Sequence, residues 1–449
     1  MAEERALNDL SALELSGRLA AGAMGLSTTI GYFLAAAQAS QAELQTFAHL
    51  DERVIRLQAE HLEAGRARGE PCGPLYGVPI GIKDIVDTID FPTEFGSAIH
   101  AGRYPIADAT LVRRLREAGA VIFGKTTTSE FAIATPSPTR NPHRRDRTPG
   151  ASSAGSAAAV AAGLVPVAIG SQTNGSMIRP ASFCGVYAFK PTRGLVPRTG
   201  VLEQSPTLDQ MGVFARSIED LAAVIEVISG DDGVDASTRG IAPRRLLELS
   251  RSAPPLEPRF CFVRTPWWSR MSEEAREACD AFVEVMDGVV VRSELPDIVE
   301  RVVDWHQTIN NAELAHCLRN ERARSPEAFG PALLERLRLA DSIRAIDYLQ
   351  AVERIPHVTS AFDEYFERFD AILTPASLGA APPIDASTGD PIMQTVWSFG
   401  GLPSVNLPLI TLEHNLPMGI QAVGPAGHDG RLLRACRWLV DTFIERTRN

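Results

Sequence analysis

Across residues 7–67, apolar positions such as Leu10, Leu13, Leu15 and Leu19 recur among polar ones with few glycines, which predicts two or three packed helices. The pattern changes at Gly73. From there to Ile85 the run GPLYGVPIGIKDI is apolar, β-branched and punctuated by Gly and Pro, the signature of a buried strand feeding a turn at Lys83 and Asp84. Residues 109–118 read as a helix and 121–123 as a short buried strand. A Gly- and Ala-rich block follows at 149–194. In it, 150–155 reads as a loop, 156–162 as a helix stopped by Gly163, 164–169 as a buried strand and 170–176 as a second loop. Ser217, with Asp220 three residues on, predicts a helix start, and Gly230 its end. Residues 252–258 (SAPPLEP) are the best linker candidate, followed by a strand at 260–263. Residues 273–369 are mostly helical and charged, and strand signals return at 371–374, 404–408 and 419–423. The alternation predicts an α/β protein whose last strands rejoin the first sheet. No internal repeat is present.

Composition narrows the partners. The chain has 449 residues, 45% of them hydrophobic and 22% charged, enough for a large core. A net charge of -11 argues against a nucleic-acid surface, and the basic run 140–147 is too short to provide one. The six cysteines are scattered without a CxxC pair, so neither a zinc site nor a disulfide framework is indicated. The acidic start MAEERALNDL lacks a signal peptide's basic region, and no apolar stretch approaches a membrane span. A soluble cytoplasmic protein is expected.

The candidate chemistry centres on serine and lysine. Only three lysines, Lys83, Lys125 and Lys190, stand among 44 basic residues. A coding bias accounts for the arginines but not for the survivors: a desolvated lysine can lose its proton and act as a base, which arginine cannot. Ser152 and Ser176 lie on the two loops of the Ser-rich block, and such loops are where α/β proteins keep their sites. If Lys83 is desolvated among Ile80, Ile82 and Ile85, its neutral amine can take a proton from Ser176 through Ser152. The N–H groups of Thr173, Asn174, Gly175 and Ser176 would then supply an oxyanion hole. The competing reading makes Lys83 an exposed loop charge and the serines ordinary turn residues. Other chemistries fit less well. Of nine histidines only His143 is near the block, and no GxSxG elbow, HExxH helix or metal-ligand set is visible. The loop 150–156 (GASSAGS) spaces its glycines like a nucleotide-binding loop, but Ser156 stands where the lysine belongs and no strand precedes it.

Several segments together resemble the amidase signature family: GVPIGIKDIVDT around Lys83, FGKTTTSEFA at 123–132, the whole Ser-rich block, LDQMGVFARSIEDLA from Leu208, LTPA at Leu373, and the closing GLPSVNLP and PMGIQAVG. They occur in the family's order and cover most of the chain outside its middle. The resemblance implies one large α/β domain, with helices at 1–70, a catalytic core at 71–230, a helical substrate-side region at 260–370 and a return to the core sheet at 371–449. Its central mixed sheet would be covered by helices on both faces. It implies hydrolysis of amide-type C–N bonds without metal or cofactor, by a Ser-cisSer-Lys triad. Ser176 matches the nucleophile, Ser152 the bridging serine after a cis peptide and Lys83 the base, with Lys125 and Lys190 structural. A small, fairly apolar or aryl amide or carbamate is the expected substrate, urethanes included. The alternative is the glutaminase-type subunit of a transfer-RNA amidotransferase, which needs partner subunits. Against the family's pattern, Ala151 replaces a Gly, Asn174 replaces a Gly beside the nucleophile, and the usual acid and arginine are Gln172 and Ile178, with Arg179 one place later.

Overall fold

The computed structural model describes residues 7–133 and 135–448. Its strands, in chain order, are β1 (Phe47–His49), β2 (Pro79–Lys83), β3 (Val121–Thr126), β4 (Val167–Gln172), β5 (Tyr187–Lys190), β6 (Gln210–Ala215), β7 (Phe260–Val263), β8 (Val290–Ser293), β9 (Ala371–Pro375), β10 (Ser404–Leu412) and β11 (Leu416–Val423). They form one mixed sheet in the order β1-β3-β2-β4-β6-β5-β10-β11-β9-β7-β8. β3, β2 and β4 pair in parallel, as do β9, β7 and β8, and the strands between them are antiparallel. The chain is a single α/β domain.

Every residue of β2, β3, β4, β6 and β9 is buried, so both faces of the sheet are covered there, and that is why these strands read as unbroken apolar runs. The helix Ala154–Ala161 packs on β2, β3, β4 and β6, whereas Ile178–Cys184 and Asp429–Arg448 cover β10 and β11. The N-terminal pattern resolves into three helices, Ala12–Ala20, Leu26–Leu44 and Glu52–Ala67. Ser11 and Glu14 cap the first reciprocally. Ser217 Oγ accepts the Asp220 N–H at the start of Ile218–Ile228, as expected, and the Asp220 carboxylate in turn accepts the N–H groups of Ala12 and Leu13.

One expectation needs revision. β4 does not stop at Ile169; antiparallel pairing with β6 carries it to Gln172, opposite Gln210, so the second loop begins at Thr173. Residues 252–258 lead into β7, which pairs with β8 and β9 of the same sheet, in keeping with the single domain expected. The middle region is mostly helical, as expected, and adds the edge strand β8, two of whose four residues are exposed. Among the described residues, no helix is long and apolar enough to cross a membrane.

Candidate active site

Lys83 ends β2 where the parallel register sets Ile82 beside Ile169 of β4. Its side chain is fully buried, with Nζ 2.7 Å from Ser152 Oγ and 2.8 Å from Ser171 Oγ. Burial lowers the amine to about 7, with the charge of Asp209 acting in the opposite direction. Lys83 is therefore no exposed loop charge, and near neutral pH a sizeable fraction is the free amine.

Ser152 reaches the lysine by a route that differs from the expected cis peptide. Its preceding peptide bond is trans, as are all those of the described residues, and Ser152 instead adopts a left-handed φ of 39°. That conformation costs a non-glycine residue about 1–2 kcal/mol and is held by its neighbours. Ser153 Oγ donates to the Ser171 carbonyl and accepts the Ser171 N–H, and Ser156 Oγ donates to Ile169 O at 2.8 Å. The serine run is thereby stitched along β4. The same packing fills the 150–156 loop, since a Cβ on Gly155 would lie 2.4 Å from Thr127 N and 2.5 Å from Thr46 O. No phosphate cradle remains in it.

Ser176 lies on the 173–176 loop, which borders a cavity of about 360 Å³ together with Ala151. Gln172 organises this loop: its Oε1 accepts the N–H groups of Met177 and Ile178, and its Nε2 donates to Ser398 Oγ. Asn174 is held in turn, its Oδ1 accepting from Thr395 Oγ1 at 2.9 Å and its carbonyl from Ser398 Oγ. Among the described residues, the N–H groups of Asn174, Gly175 and Ser176 make no hydrogen bond, which leaves them open to a ligand. Thr173 also lines the cavity, and its Oγ1 donates to Asp209. Lys83 and Ser152 are thus in direct contact, but among the described residues no hydrogen bond joins Ser176 Oγ to Ser152.

The other sequence candidates lie elsewhere. Lys125 Nζ donates to Val86 O and Thr93 Oγ1 beside Asp84, and Lys190 Nζ to Gln210 Oε1 and Leu402 O, so both are absorbed by buried carbonyl and hydroxyl groups. His143 is engaged with the Cys184 carbonyl. The histidine that does reach the cavity is His306, whose Nε2 is 3.0 Å from Thr173 O and whose pKa falls to about 4 on burial, so it is a neutral donor bracing the loop. Sequence reading missed it, along with Ser171, Asn310 and Arg336. Ser171 lies in the Ser-rich block at a position read as a loop, where the structure continues β4. The lining includes the polar side chains Asn174, Arg179, His306, Asn310, Asn311 and Arg336.

Comparison with known proteins agrees with this geometry. The Amidase family pattern matches residues 28–433. A glutamyl-tRNA(Gln) amidotransferase subunit of Lachnospira eligens is 30% identical over 96% of this chain and 97% of its own. A solved structure from a vestigial protein complex that bears on the origins of an s-triazine catabolic enzyme superposes with a TM-score of 0.90 at 28% identity, covering 96% of this chain and 98% of that one. The peptide amidase of Stenotrophomonas maltophilia gives 0.83 at 29% identity, covering 98% and 97%. A buried lysine and serine pair beside an open serine loop, on this sheet and in this motif order, therefore places the chain in the amidase family, as an amide-hydrolysing enzyme.

Proposed function

We propose that the protein hydrolyses the C–N bond of small amides or carbamates, urethanes included, through an acyl-enzyme on Ser176. The observation that carries this reading is the buried Lys83 amine, close to neutrality and 2.7 Å from Ser152 Oγ, beside the loop that presents Ser176 to the cavity. Ser176 Oγ attacks the substrate carbonyl as its proton passes to Ser152 and the Ser152 proton to the neutral Lys83. The Ser176–Ser152 contact forms with substrate in place, as catalytic hydrogen bonds often tighten only in the complex. The free N–H groups of the 173–176 loop stabilise the oxyanion. The proton returns to the departing amine, and water then attacks the acyl carbonyl by the same relay. No step needs a metal or cofactor.

A second reading makes the chain a partnered glutaminase-type subunit, and the curated relatives favour it, since they are subunits of glutamyl-tRNA(Gln) amidotransferases. The purified single chain, assayed on an aryl amide, an aryl carbamate and glutamine without ATP, transfer RNA or added protein, separates the two. Turnover that disappears in Ser176→Ala, with an acyl adduct trapped on Ser176 in the wild type, is the expected result. Strict dependence on added subunits supports the second reading, and labelling of another residue removes Ser176 from its role.

A further inference from the structure

Arg179 is an unusual resident of the cavity wall. It stands one place beyond the position where the family pattern carries arginine, and the acid that would accompany it is Gln172, which spends its side chain on the N–H groups of Met177 and Ile178 and on Ser398. Arg179 is 4% exposed, yet among the described residues its guanidinium forms no ion pair. Nη1 donates to the Gly389 carbonyl, and Nε has no partner. Arg336, on the helix Pro331–Ala340, borders the same cavity and is likewise without an ion pair among the described residues; it is positioned by the Asn310 and Asn311 side-chain oxygens. Because Asn310 Oδ1 accepts from Arg336, its amide orientation is set, and its buried Nδ2 is left without a partner.

Buried cations are ordinarily matched by an anion, and buried donors by an acceptor. Here two guanidinium groups and an amide N–H₂ border one cavity with no anion to meet them. No Asp or Glu lines it among the described residues. The carboxylates whose charges act on Lys83 and Arg179 are already engaged, Asp209 by Thr173 and the N–H groups of Gln204 and Ser205, Asp390 by Arg270 and the Ile392 N–H.

We propose that Arg179, Arg336 and Asn310 form an anion anchor, and that the substrate is a small amide or carbamate bearing a carboxylate and no ammonium group. This rests on the hydrolytic reading of Ser176 and deepens it. An α-amino acid amide such as glutamine brings a positive charge for which the cavity has no carboxylate, so the anchor selects against it.

The test compares charged and neutral partners of the same shape. Succinamate against butyramide places the carboxylate on the acyl side, and N-acetyl-β-alanine against N-propylacetamide places it on the amine side; glutamine is the zwitterionic control. In one of the two pairs the charged member is expected to lead by about a hundredfold in kcat/KM, and Arg179→Gln and Arg336→Gln are each expected to erase at least about tenfold of that lead while changing the neutral member less than about threefold. Succinate is expected to inhibit the wild type competitively and to bind Ser176→Ala in calorimetry, with binding lost when Arg179→Gln is added. If Arg179→Gln does not fold, the wild-type ratios, Arg336→Gln and succinate binding still decide. Turnover without charge preference, or no succinate binding, overturns the anchor and leaves the hydrolytic reading intact. Succinate binding that depends on Arg179 in a protein inactive on every amide does the reverse. Preference for glutamine over succinamate overturns the exclusion of ammonium.

Discussion

In the proposed mechanism Lys83 is the side chain on which the reaction turns, and its chemistry follows from what surrounds it. Two hydroxyl groups contact its amine, and burial holds it near pH 7. Below that pH the amine is charged and cannot accept a proton, so the rate is expected to rise from acidic to alkaline pH through a midpoint near 7, one that belongs to the Lys83–Ser152 relay as a unit. Lys83→Arg keeps the charge but not the ability to lose it. It is expected to be as inactive as Lys83→Ala, down by about 10²–10⁴-fold in single-turnover rate, whereas Lys125→Arg and Lys190→Arg keep part of the activity. Near-normal turnover in Lys83→Arg would remove the neutral-lysine mechanism. The scarcity of lysine was the readable part of this, and all three survivors prove fully buried. Scarcity alone does not distinguish the base from the other two. Their surroundings do: Lys125 is held by the Val86 carbonyl, the Thr93 hydroxyl and Asp84, Lys190 by carbonyl oxygens, and Lys83 by two serine hydroxyls.

The turn from β4 into the helix Ile178–Cys184 presents Ser176, the proposed nucleophile, and its shape depends on a glycine. A Cβ at Gly175 would lie 2.7 Å from Pro391 Cβ and 2.8 Å from Gln394 Oε1, so Gly175→Ala must displace the loop that carries Ser176. Thermal unfolding is expected to show a loss of about 1–3 kcal/mol, and kcat to fall by at least about a hundredfold, because a small misplacement of reacting atoms is felt strongly. Unchanged kcat would mean that the loop's position is not what orients Ser176. Gln172 illustrates how a departure from the family pattern is absorbed: a neutral amide caps the first N–H groups after the nucleophile where the family has an acid, and the arginine shifted to position 179 borders the cavity.

The whole chain's buried titratable groups set its pH–stability curve. Lys83 and Lys190 are lowered to about 7 and Lys125 to about 8, all by burial. Above those values the folded amines are neutral while the unfolded chain still holds their protons, up to the ordinary 10.5, so stability rises with pH across that window. Burial raises the thiols of Cys184, Cys261, Cys279, Cys317 and Cys436 above their ordinary 9.0, so above pH 9 the unfolded chain loses protons that the fold retains, and stability falls. Urea midpoints across pH 6–10 are expected to peak between about 8 and 9. A monotonic decline from pH 7 would show that the lysines are not neutral in the fold.

The helices of residues 7–67, the buried strands and the motif order were legible because they depend on local periodicity and on short-range turn chemistry. So was the pairing of Lys83 with Ser152, whose residue types are tied to what they can do. What periodicity cannot encode is adjacency between distant segments. Lys83 meets Ser152 and Ser171 through parallel registry of β2 with β4 and stitching of the serine run along it. His306, Asn310 and Arg336 reach the cavity from helices well over a hundred residues further on, in a stretch without a motif. The polar side chains of the cavity come together for the same reason. Whether a guanidinium faces water, a carboxylate or a pocket is set by long-range packing, and only the folded chain shows Arg179 buried without an ion pair among the described residues.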